Sequence, residues 1–228
     1  MTPSTRKIRL ILDLRRRGIT NTELLSAFER VPREAFVPEA FLDQSYEDIA
    51  LPIGYGQTIS QPSVVATMLQ ALEIEPTHKV LEVGMGSGYQ TALLTYLCRR
   101  VYAIELHKEL RREAEKRLYA LSRNNFTSIT GDGSLGWTQQ APFERIISAA
   151  AAPDVPQGLV EQLQDGGVLI LPLGGEKEVQ QISKVVRNGD RYDMEYLGPV
   201  RFVPLLHNNH NSVTVSYTHL TLPTIYSV

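Results

Sequence analysis

Apolar and polar positions follow a helical period in the first third of the chain and switch to alternating strand and helix blocks from residue 79. An amphipathic stretch predicts a first helix over residues 6–17, ended by Gly18. A second is expected from Thr20, with Glu23 three residues on completing a capping box, and it stops before Pro32. A third follows Pro62, where Val65, Met68, Leu69 and Leu72 fall at i, i+3, i+4 and i+7. "KVLEVG" then reads as a buried strand, "YQTALLTYLC" as a helix and "RVYAIE" as a second strand. Residues 108–122 form a charged helix with Leu110, Ala114, Leu118 and Leu121 on one face. "TSIT" and "RIISAA" are further strands, Pro156 opens a short helix, and "GGVLILPLG" is a strand. The Asn188-Gly189 turn joins the last two strands as a hairpin. Strands alternating with helices predict an α/β fold with a mostly parallel sheet, made antiparallel near its C-terminal end by that hairpin.

A length of 228 residues with 43% hydrophobic content suits one domain or a compact pair. The net charge of −2 gives no drive toward nucleic acid or an anionic membrane. Cys98 is the sole cysteine, which excludes an internal disulfide and fits a reducing compartment. "MTPSTRKIRLILDLRRRG" has arginines on both sides of a short apolar run and no small-residue cleavage site, so it reads as a helix and not a signal peptide. No apolar run approaches a membrane span. These features predict a soluble, cytoplasmic, monomeric protein. All the charged residues lie within the first 201 positions. The uncharged stretch 208–228 therefore reads as a tail outside the native domain, which is expected to cover residues 1–207.

Candidate chemistry concentrates in "VLEVGMGSGYQ", which places Gly84, Gly86 and Gly88 between a strand and a helix. Glycine there allows a sharp turn and a close ligand approach. The spacing differs from the Gly-x-Gly-x-x-Gly dinucleotide fingerprint, so S-adenosyl-L-methionine fits better than NAD. Glu105 ends the next strand, 21 residues after Gly84, where a carboxylate accepts hydrogen bonds from ribose hydroxyls. Asp132, in "GDG", ends the strand after that. The alternatives are a helix-start acid for Glu105 and a plain Asp-Gly turn for Asp132. His78, His107, His207, His210 and His219 form no metal spacing, and there is neither a Gly-x-Ser-x-Gly elbow nor a Cys–His pair. Without an evident base or nucleophile, the substrate of an enzyme built this way should already be nucleophilic at neutral pH.

"VPREAFVPEAF", "ALPIGYGQTISQP", "LEVGMGSGYQTALL", "GDGSLGW", "AAAPDVPQGLVEQLQDGG" and "RFVPL", in that order, closely resemble the protein-L-isoaspartate O-methyltransferase family in its bacterial form. The resemblance spans residues 6–206. It implies a Rossmann-like methyltransferase core over 62–207 with a helical and substrate-loop region over 1–61. It also implies methyl transfer from S-adenosyl-L-methionine to the α-carboxylate of isoaspartyl residues in damaged proteins and peptides. By the same resemblance Thr58, Ile59, Glu82, Gly84, Gly86, Gly88, Glu105, Asp132 and Gly133 would contact the cofactor. Ile53, Gly54, Gln57, Thr58, Ser60, Val203, Pro204 and Leu205 would contact the peptide, with Ser60 at the family's active-site serine. Met85 departs from the Thr or Ser usual there; its side chain is expected to point away from the cofactor.

On local grounds alone Ser60, placed just before "QPSVVATML", reads as a helix cap ahead of a catalyst. A helix N-terminus with a hydroxyl is also a carboxylate site. Two rivals remain at this point: a methyltransferase for another acceptor, and a cofactor-binding module without turnover. Against RNA as acceptor, the chain has no basic stripe interleaved with aromatics and no Asn/Asp-Pro-Pro-aromatic motif.

Overall fold

The computed structural model describes residues 3–175 and 178–206. The 208–228 tail lies outside the described residues. Helices α1 (Pro3–Arg16), α2 (Thr22–Arg30) and α3 (Pro62–Ala71) precede a core of β3 (Lys79–Val83), α4 (Tyr89–Leu97), β4 (Arg100–Glu105), α5 (Lys108–Ala120), β5 (Phe126–Thr130) and β6 (Phe143–Ser148). Helix α6 (Gln157–Val160) and strands β7 (Leu163–Leu173), β8 (Gln180–Asn188) and β9 (Arg191–Val200) complete it. The seven-stranded sheet has the order β5-β4-β3-β6-β7-β8-β9. Its first five members are parallel, and β8 and β9 are antiparallel. This is the expected Rossmann-like arrangement, including the turn at Gly189, whose φ of 62° suits a hairpin.

Strand alternation divides the core. Val80, Val101, Ala103, Ile147, Val168 and Ile170 face one way, into an apolar cluster shared with α1 to α5. Leu81, Val83, Ile104, Ile146, Leu169 and Leu171 face the other, packing with Phe143 and with Leu159 and Val160 of α6. Leu14, Phe28 and Phe36 from the N-terminal region share the first cluster with Tyr89 and Leu93 of α4. The ring of Tyr89 meets Phe36 edge-on at 5.6 Å and Phe28 at 6.2 Å. The N-terminal helices are thus part of the same core that carries the glycine turn.

The start of α2 differs from the capping box expected at Thr20. Asn21 is the cap, its side chain accepting from Leu24 N at 2.9 Å. The backbone N–H groups of Thr20 and Asn21 donate instead to Gln70 Oε1, at 2.8 and 3.3 Å. The stretch before α3, expected as a loop, contains a separate two-stranded hairpin of β1 (Leu51–Gly54) and β2 (Gln57–Ile59). Tyr55 and Gly56 at its tip both have positive φ, 54° and 69°, as a two-residue hairpin turn requires.

Candidate active site

Around β3 the strand order reverses, β4 lying on one side and β6 on the other, and ligands of open α/β sheets bind at such a point beyond the carboxyl ends. Here a cleft of about 540 Å³ opens there, a size usual for small-molecule sites. Its walls are built from the glycine turn with Glu105 and Gly133, from Gln57, Thr58, Ser60 and Gln61, and from a third stretch, Val203, Pro204 and Leu205.

The glycine turn is fixed from below. Gly84 N and Met85 N both donate to Ile104 O, at 2.9 and 3.2 Å. Gly88 caps α4 at φ 88°, and a Cβ there would stand 3.0 Å from Ala114 Cβ, so the third glycine serves the close approach of α5. A Cβ on Gly133 would lie 2.3 Å from Val83 Cγ1, which leaves room for glycine alone. Met85 is buried in the core and turned from the cleft, as expected. Glu105 is nearly buried, its Oε2 accepting from Gly86 N at 2.7 Å and its Oε1 from His107 N at 3.0 Å.

Several expected contacts are not brought to the cleft. Glu82 shares its strand face with Val80, which sends its carboxyl under α4; there Thr91 Oγ1 donates at 2.6 Å and Gln90 Nε2 at 3.1 Å. Burial pushes that carboxyl up to about 8. Ile59 likewise turns into the core. Asp132 closes a tight turn through Ser134, whose N–H and hydroxyl both donate to Oδ1, at 2.9 and 2.6 Å, while its neighbour Gly133 reaches the cleft wall. Ile53 packs over Gly86, its Cδ1 3.4 Å from where a Cβ would stand, and Gly54 begins the hairpin turn beyond it.

Ser60 does not cap α3. Gln61 is the N-cap, without a side-chain cap bond, and Pro62 opens the helix. The N–H of Ser63 donates instead to Asp48 Oδ1 at 2.8 Å, and Gln61 Nε2 donates to Asp48 Oδ2 at 3.0 Å. A carboxylate of the chain itself thus stands at the helix N-terminus that the sequence offers to a substrate carboxylate. Among the described residues no partner is found for the hydroxyls of Thr58 and Ser60, both of which border the cleft.

Sequence reasoning passed over Arg33 and the Tyr55–His107 stack, in which the hairpin tip lies on the residue two beyond Glu105 at 5.3 Å. Arg33 lies fully buried beneath the hairpin, and burial lowers its pKa. His107 also lines the cleft, and its Nε2 is buried with no partner among the described residues.

The family model for protein-L-isoaspartate(D-aspartate) O-methyltransferase matches residues 5–210. The chain belongs to this family. A protein-L-isoaspartate O-methyltransferase of Rhodospirillum rubrum is 57% identical over 209 residues, covering 90% of this chain and 95% of the relative. One from Dictyoglomus thermophilum is 49% identical, covering 86% and 89%. A solved protein-L-isoaspartate O-methyltransferase superposes with a TM-score of 0.81 at 25% identity, over 89% of this chain and 66% of that one. A Plasmodium falciparum protein solved with S-adenosyl-L-homocysteine shares the fold at a TM-score of 0.76 and 24% identity, over 88% of this chain and 98% of that one.

The family's cofactor is S-adenosyl-L-methionine, and the residues present suit it. A nearly buried carboxylate, a glycine turn open to the cleft, and the unpartnered His107 Nε2 make a donor and acceptor set for a nucleoside. Among the described residues no helix is long and apolar enough to cross a membrane.

Proposed function

We propose that this isoaspartyl methyltransferase holds its cofactor on the Gly84–Gly86 turn, Glu105 and Gly133, and orients the isoaspartyl α-carboxylate with Ser60. The observation that carries this reading is that Thr58 and Ser60, whose hydroxyls have no partner among the described residues, line one cleft together with the glycine turn and Glu105. Bound S-adenosyl-L-methionine supplies an electrophilic methyl group. Glu105 takes the ribose hydroxyls on the lone pairs left after its bonds to Gly86 and His107. Glu82 braces the start of α4 through Gln90 and Thr91, and Asp132 closes the turn that carries Gly133.

An α-carboxylate has a reference pKa of about 3.3–3.7, so at neutral pH it is already the nucleophile and no side chain must remove a proton. What the site supplies is orientation, which at best is worth roughly 7–11 kcal/mol. Neutral donors at Ser60 and Thr58 hold the carboxylate without the strong pairing that a cation would impose. Val203, Pro204 and Leu205 wall the peptide, and the neighbouring Ile53 and Gly54 keep the hairpin over the turn. The acceptors are isoaspartyl sites in damaged proteins.

A methylation assay on an isoaspartyl peptide and its aspartyl twin tests this reading. The isoaspartyl peptide alone should be methylated, and Ser60→Ala should lower its turnover about ten- to a hundredfold, the worth of one hydrogen bond to a charged group. Because Ser60 caps nothing, its loss should leave the melting temperature nearly unchanged. Equal methylation of both peptides would return the acceptor to another class, and full turnover by Ser60→Ala would remove Ser60 from the chemistry.

A further inference from the structure

Arg33 is a fully buried cation, and among the described residues no carboxylate stands within ion-pairing distance of it. A buried charge without a paired counter-ion is costly, and an apolar residue of similar volume usually fills such a space more cheaply. The guanidinium lies over the Tyr89 ring at 5.0 Å, is hydrogen-bonded to the Tyr89 side chain and eased by the more distant charge of Asp48, and gives three of its donors to backbone carbonyls. Nε donates to Ser45 O at 2.8 Å, Nη2 to Ile49 O at 3.1 Å and Nη1 to Ser60 O at 3.1 Å. These acceptors sit at the start, the middle and the end of one segment, and the β1–β2 hairpin lies between the last two. A planar fork fixes three such points relative to one another in a way that a flexible ammonium cannot.

Within that segment Asp48 ties it to the start of α3 through Ser63 N and Gln61 Nε2, with Arg17 Nη2 pairing to Asp48 Oδ2 at 3.3 Å. Ser60 therefore has its carbonyl fixed by Arg33 and the following Gln61 and Ser63 fixed by Asp48, and it lines the cleft with a hydroxyl that has no partner among the described residues. We infer that Arg33 is a positioning residue for methyl transfer: by pinning the Ser60 carbonyl together with those of Ser45 and Ile49, it sets the Ser60 hydroxyl at the carboxylate of the acceptor. This rests on the proposed role of Ser60.

The test is a double-mutant cycle on Arg33→Met and Ser60→Ala, with Arg33→Lys as the charge-preserving variant, measured where circular dichroism shows each protein folded. Arg33→Met should lower kcat for an isoaspartyl peptide by about tenfold or more while the peptide KM moves less than about threefold. Its affinity for S-adenosyl-L-methionine, read by calorimetry, should stay within about threefold, since Arg33 bonds none of the residues assigned to the cofactor and the Tyr89 ring it touches stays packed on Phe28 and Phe36. Added to Ser60→Ala, Arg33→Met should cost less than about twofold further, because both act through one hydroxyl. Arg33→Lys should fall between Arg33→Met and the parent, and it carries the cycle if the methionine variant does not fold. Normal kcat in the folded variants, a matching loss of cofactor affinity, or full additivity with Ser60→Ala would each overturn the inference. Normal turnover by Ser60→Ala alone would instead strike the Ser60 reading and this inference with it. An impaired Ser60→Ala beside a normal Arg33→Met would remove Arg33 only.

Discussion

Glu82 offers a stability test whose size follows from its surroundings. The carboxyl is fully buried under α4, and burial raises it to about 8; the donors Thr91 and Gln90 oppose the rise and the nearby charge of Glu105 adds to it. In the unfolded chain the same group releases its proton near 4.5. Between those values the folded protein binds more protons than the unfolded chain, so this group's effect on stability worsens as pH rises and is complete above about 8. At about 1.36 kcal/mol per unit, the loss between about pH 5 and pH 7.5 comes to roughly 3 kcal/mol. Glu82→Gln keeps the shape and an acceptor for Thr91 but does not titrate. Its advantage in unfolding free energy over the parent should therefore widen by about 3 kcal/mol across that range, other carboxylates cancelling in the difference. Urea unfolding followed by circular dichroism at several pH values reads this directly. A gap that stays constant or narrows with rising pH would refute the burial argument. A drop of more than about tenfold in the variant's cofactor affinity would return Glu82 to the cleft.

Glu105→Ala should weaken S-adenosyl-L-methionine binding in calorimetry by more than tenfold, since charge-assisted hydrogen bonds are worth about 1.5–3 kcal/mol each and the turn also loses the tie to Gly86. Gly88→Ala, at φ 88° and against Ala114, should destabilise the fold by about 1–3 kcal/mol in chemical denaturation. A chain ending at residue 207 should keep its melting temperature within a few degrees and gain solubility, on the charge distribution alone. A large loss of stability in that truncated chain would extend the domain into 208–228.

The core from β3 to β6 was legible because each element there carries its own period and its own ends. The glycine turn and Glu105 are separated by one helix and one strand, so short-range spacing sufficed to bring them to a common rim. The β1–β2 hairpin was not legible: its strands are three and four residues long, and Pro52, Gly54 and Gly56 read as loop residues. Nor could spacing show the cap of α3, because Asp48 reaches it from 15 residues upstream. Glu82 and Ile59 lie beside true lining residues in sequence, but strand orientation decides which side chains point into a cleft. Arg33 sits in "VPREAFVP", where a charged residue beside Glu34 reads as pointing to solvent, and only the folded hairpin shows that its donors have backbone partners.

The third wall of the cleft has a bearing on synthesis. Residues 199–206 span the end of β9 and the stretch after it, which docks just past β6, where Ala151 N donates to Val203 O and Leu205 N to Ala151 O. Every residue assigned to the cofactor leaves the ribosome before residue 134. The residues assigned to the cofactor and the Gln57–Ser60 wall are therefore all synthesised well before the third wall. The side of the cleft proposed for the peptide is thus made last, when eight residues close what the rest of the chain has already built.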